Sequence, residues 1–198
     1  MFLISLIAAS AAAYEHPLDS SAIRNAYFLG SSNSESVKFL SKNKETLPPP
    51  KTGPHVAEIE VRTPFAQVVA SSREHSVGYS PMQAGQDYKK DPDTLQVRIQ
   101  IRFTTYGAPL VPPPACQGEN RMNSVQDCFQ DFRFRFSQSK DLQPIRSYGV
   151  PIYTHVLTGG DVWFTFRAAE VASAPLRVTV STPDGHEVSA TFDLAALR

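Results

Sequence analysis

The sequence predicts a mainly β protein: an antiparallel two-layer sandwich of immunoglobulin-like arrangement, carrying a small N-terminal helical hairpin. Three observations point there. Several short runs alternate apolar and polar residues with the period of a half-buried strand. The last two runs are joined by Thr182-Pro183-Asp184-Gly185, in which Pro presets the turn and Gly accepts a positive φ. Few helical segments lie among the runs, which favours antiparallel layers.

The chain opens with MFLISLIAASAAA, thirteen residues without a charged side chain that end in Ala11-Ala12-Ala13. Such a run reads as an export signal, residues 1–13, cleaved before Tyr14. It departs from the usual signal in opening without Lys or Arg. Its apolar stretch would reach roughly 18 Å as a helix against a hydrocarbon core of about 30 Å, so it is too short to span a bilayer. The alternative is a buried N-terminal helix. Export places the protein in the periplasm, the cell envelope or outside the cell, with no transmembrane segment in the mature chain.

Residues 14–46 read as the helical hairpin. Asp19 or Ser20 caps a first helix carrying Ile23, Ala26 and Tyr27 at helical spacing, and Gly30 is placed to stop it in a left-handed turn. Asn33 or Ser34 caps a second, with Val37, Phe39 and Leu40. Tyr27, Phe28, Phe39 and Leu40 must then dock on something larger, because two short helices do not hold alone. Residues 47–55, LPPPKTGPH, form a stiff proline-rich linker.

Residues 56–198 hold the sandwich. Glu58-Ile59-Glu60-Val61-Arg62 and Val97-Arg98-Ile99-Gln100-Ile101-Arg102-Phe103 alternate as half-buried strands, and Phe132-Arg133-Phe134-Arg135-Phe136 and Val162-Trp163-Phe164-Thr165-Phe166-Arg167 repeat the pattern. Residues 176–181 and 188–194 supply the terminal hairpin. Phe65, Val68 and Val69 after Thr63-Pro64 fit a helix start while Phe65, Gln67 and Val69 fit an edge strand, and residues 64–69 are assigned as strand or irregular. Ser80-Pro81 opens a short helix, with Ser80 as cap. Residues 104–130 form one long excursion. Within it Cys116 and Cys128, eleven residues apart, predict a disulfide closing a surface loop of the exported chain.

Nineteen basic and nineteen acidic residues balance, so no global field attracts nucleic acid. The best charged lead is Arg98, Arg102, Arg133 and Arg135, which point outward if their apolar neighbours point to the core. Four guanidiniums on one sheet face would suit an anionic polymer or a carboxylate; against that, Glu58 and Glu60 on a neighbouring strand would neutralise two of them. Trp163 also points outward by alternation, with Tyr148 and Tyr153 in the stretch before it, forming either an aromatic platform for a glycan or extended peptide or a patch covered by the helical hairpin or the cysteine loop.

The five histidines, His16, His55, His75, His155 and His186, show no metal-ligand spacing, and no nucleophile motif is present. No residue is assigned a catalytic or metal-binding role, and no cofactor is implied. The function expected is therefore that of a non-catalytic binding or structural module of the periplasm or cell envelope with a protein or glycan partner. The alternative is a small secreted hydrolase with a His/carboxylate site assembled from loops around His75 or His155.

Overall fold

Period-two alternation becomes strand pairing once each run finds a partner whose apolar residues face the same way. In the computed structural model, which describes residues 14–50, 54–75, 78–90, 93–103, 129, 131–155 and 157–197, eight strands build two antiparallel sheets. They are β1 (Lys44–Thr46), β2 (His55–Arg62), β3 (Thr94–Arg102), β4 (Arg133–Ser137), β5 (Arg146–Tyr153), β6 (Leu157–Arg167), β7 (Pro175–Ser181) and β8 (Glu187–Asp193). One sheet has the order β1-β2-β3-β6-β5 and the other β4-β7-β8. The segment read as an export signal and the cysteine pair expected to form a disulfide, Cys116 and Cys128, lie outside the described residues.

The sheets share one apolar core, consistent with a two-layer sandwich. Ile59, Ile99 and Val162 stand opposite one another across β2, β3 and β6. From the second sheet Phe136 meets Phe164 and Phe166, with ring centroids 4.8 Å and 5.0 Å apart, while Leu176, Val178 and Val180 of β7 are fully buried. The turn between β7 and β8 is as expected, with Gly185 at φ 84°.

Four helices form a second, smaller core: α1 (Ser20–Ser31), α2 (Asn33–Ser41), α3 (Pro64–Glu74) and α4 (Pro81–Lys90). The Asp19 carboxylate accepts from Ala22 N at 2.7 Å, and Ser80 Oγ accepts from Gln83 N at 3.2 Å, as their cap positions predict. The strand or irregular assignment of residues 64–69 is corrected. Thr63 caps α3 through its Oγ1, 3.2 Å from Ala66 N, and Pro64 takes the first helical position. The chain there is apolar almost all round because α3 is the centre of the helical core, so its pattern shows no period.

Two further expectations change. Gly30 does not stop α1; the helix runs on to Ser31, and Gly30 packs directly against Val69 and Ser72 of α3. Phe28 is 53% exposed beneath Arg24, so α1 docks through Ala22, Ile23 and Ala26 on α3 and α4 rather than through Phe28 on the sheet. The segment before α1 ties the two cores together. Tyr14 is buried in the sandwich with its hydroxyl donating to the Val171 carbonyl at 3.1 Å, and Leu18, four residues on, is buried among the helices.

Candidate functional site

The outer face of the five-stranded sheet gathers charged and aromatic side chains for a reason set by register. Residues directly opposite on neighbouring strands share a face, and Lys44, Glu60, Arg98, Trp163 and Tyr148 follow one another across β1, β2, β3, β6 and β5 in a single row. Glu58, Gln100 and Asp161 form the next row.

At the β1–β2 end the row is electrostatic. Glu60 is 1% exposed and accepts from Arg62 Nε and Arg98 Nε, each at 2.8 Å. Arg98 also bonds Glu58 and lies 3.4 Å from Asp161, and Lys44 Nζ lies 3.3 Å from Glu58. Burial pushes the Glu60 carboxyl up, but the hydrogen bond and charge of Arg62, with the charges of Arg98 and Lys44, outweigh it and hold Glu60 below its usual range. Burial alone would lower the Arg98 pKa, yet Glu60, Asp161 and Glu58 raise it. Three cations thus meet three carboxylates, and the cluster is neutral.

At the β5–β6 end the row is aromatic. The Tyr148 and Trp163 rings lie 6.2 Å apart with 6° between their planes. Arg62 sits over the Trp163 ring at 4.8 Å and Arg146 over the Tyr148 ring at 5.1 Å. Tyr148 is 36% exposed, with Val150 and Tyr153 also exposed on the same strand. Trp163 is half-buried, and Arg62 and Arg98 reach over it, at 4.8 Å and 6.0 Å.

The four arginines do not share one face. Arg98 and Arg102 belong to β3, whereas Arg133 and Arg135 belong to β4 in the other sheet. Of the two arginines that Glu58 and Glu60 were expected to neutralise they pair with one, Arg98; Arg102 stands opposite His55 and Gly159, Arg135 forms a surface pair with Asp141 at 3.3 Å, and Arg133 stands opposite Ser181. A strand's alternation tells which face a residue takes but not which sheet the strand joins, and that is why the grouping fails.

His75 ends α3. Its Nδ1 lies 2.7 Å from the Ser71 carbonyl, which can only accept, so that nitrogen carries the proton, and its ring stacks on Tyr79 at 4.6 Å. His155 is exposed in the β5–β6 connection, and among the described residues no contact joins it to His75. No group of three or more His, Cys, Asp or Glu among the described residues could hold a metal ion, and no described helix is long and apolar enough to cross a membrane. Sequence reasoning missed Arg62, Arg146 and Lys44. Arg62 was legible as the last residue of its alternating strand; Arg146 and Lys44 lie in strands whose pattern carries no period. The chain matches no family model, no curated protein and no solved structure.

Proposed function

We propose that the protein is an exported, non-catalytic binding or structural module of the periplasm or cell envelope, whose ligand surface is the Tyr148–Trp163 platform and whose partner is a glycan or extended peptide. The apolar leader and the two cysteines spaced for one bridge support export. The strand order supports an immunoglobulin-like arrangement: with β2 to β8 lettered A to G in sequence, the sheets read A-B-E-D and C-F-G, the constant-type order, with β1 added at one edge and α3–α4 inserted between A and B.

One observation carries the binding reading. Two near-parallel aromatic rings neighbour each other on a sheet face, each with an arginine over it, and Tyr148 is solvent-accessible. Flat rings of this kind offer apolar area at low entropic cost, and sugar rings and peptide backbones stack on them. Trp163 is the single tryptophan, so its emission reports directly on occupancy. Titration with soluble peptidoglycan fragments, and separately with unstructured peptides, should shift that emission saturably for one of the two. Tyr148→Ala should weaken the responding ligand about fivefold, in line with an aromatic contact of about 1 kcal/mol. Emission unmoved by both ligand sets would end the platform reading.

A further inference from the structure

Next to the platform the sheet face runs under the helices and forms a cleft of about 460 Å³ whose lining combines two chemistries. Val37 and Leu40 of α2 and Ala70 of α3 make one wall apolar. Val37 is 45% exposed at this position, which is costly for an apolar side chain that meets only water. Lys44, Arg62 and Arg73 place three cations on the same cleft.

Two carboxylates also border it. Glu60 is already engaged by Arg62 and Arg98, and it takes two of the five N–H donors of Arg62, leaving the rest of that fork. Glu74 stands at the end of α3 beside Arg73. Arg73 is exposed and makes no ion pair with a described carboxylate. Lys44 already contacts Glu58 and Glu60, at 3.3 Å and 3.8 Å, so Arg73 is the lining cation that no described carboxylate pairs.

We infer that this cleft binds an amphiphilic anion: an oxyanion head, carboxylate or phosphate, held by Arg73, Lys44 and the outer edge of Arg62, with a short apolar body against Val37, Leu40 and Ala70. Guanidinium forks bind two oxygens of a carboxylate or phosphate at once, and an apolar wall beside them selects against inorganic ions. Arg62 couples the cleft to the platform, because the same guanidinium covers the Trp163 ring. An anion that draws Arg62 toward the cleft changes the environment of the only tryptophan.

The test uses the full processed chain with octanoate, octyl phosphate, acetate and octylammonium, read by Trp163 emission and by calorimetry. One octanoate or octyl phosphate should bind per chain, at least tenfold tighter than acetate, with octylammonium silent, and the stronger of the two heads identifies the source of the oxyanion. Arg73→Gln, an exposed change at the end of a helix, should weaken binding about tenfold. Should that variant prove unfolded by circular dichroism, Lys44→Gln takes its place. The inference is overturned if calorimetry finds no stoichiometric binding of either anion, if octylammonium binds as well, or if the folded variant binds like the parent. The platform is read with saccharide and peptide ligands and the cleft with alkyl anions, so either can fail alone.

Discussion

Glu60 shows at the scale of one residue how a neutral chain holds a charged face. A carboxylate removed from water is tolerated only when its hydrogen bonds and countercharges are complete, and here Arg62, Arg98 and Lys44 supply them. Removing the charge while leaving the shape exposes the dependence. Glu60→Gln leaves Arg98 and Arg62 without their shared partner and should cost about 3 kcal/mol at pH 7, measured by urea unfolding. The pH dependence follows from the direction of the shift. The folded pKa lies below the ordinary value of 4.5, so the stabilisation is present above that value and is lost as pH falls through the folded pKa. The parent should therefore lose stability on acidification below about pH 5, and Glu60→Gln should show a shallower slope over that interval. A variant as stable as the parent at pH 7, or with an equal slope, would show that the cluster holds without Glu60.

Among the elements, the contact of α1 with α3 depends on one missing side chain. A Cβ built on Gly30 would lie 2.5 Å from the Val69 carbonyl oxygen and 2.7 Å from Ser72 Cβ. Alanine normally stabilises a helix interior by about 1 kcal/mol over glycine, but here the helices would have to separate, and overpacking of this kind costs about 1–3 kcal/mol. Gly30→Ala should accordingly lower the melting temperature, whereas a rise would mean that helix propensity outweighs packing. That same glycine marks the limit of legibility in the sequence. Its position near a helix end suggested a left-handed stop, and only the facing surface of α3 tells otherwise. β2, β3, β4, β6, β7 and β8 were legible because apolar residues turned to the core alternate in each with polar or charged ones on the other face. β1 and β5 were not, since β1 is three residues long and β5 contains Gly149 and Pro151 at a sheet edge, where pairing rather than pattern holds the strand. Of the site, the outward turn of Trp163 and the pairing of Glu58 and Glu60 with Arg98 could be read from alternation. The stacking of Tyr148 and the reach of Arg62 over the indole needed the strand order, which alternation does not encode.

At the scale of the whole molecule, the helical layer is continuous with the sandwich rather than strung beside it. α3 and α4 lie in sequence between β2 and β3, two neighbours in one sheet. The side-chain amide of Gln67 in α3 donates to the carbonyl of Arg62 at the end of β2, at 3.2 Å, and to that of Thr94 at the start of β3, at 2.6 Å. Tyr14 and Leu18 add a second tie near the start of β3: the Leu18 amide donates to Tyr88 of α4 at 2.9 Å, and the Tyr88 hydroxyl bonds Asp93, the residue before β3. Melting the helices alone would therefore leave the ends of two central strands and the Tyr14 pocket exposed, which makes a separately unfolded layer costly. A single transition is expected, with helical circular dichroism and Trp163 emission coinciding on heating. The sharper form of the prediction uses Gly30→Ala, which acts inside the helical layer, whereas Trp163 lies in the sheet. Each kcal/mol should shift the midpoint by roughly 2–4 °C in a chain of this size, and the shift should be equal by both probes. A variant whose dichroism transition moves while Trp163 emission stays in place would establish that the helices unfold on their own, and that the cleft beneath them can open without loss of the aromatic platform.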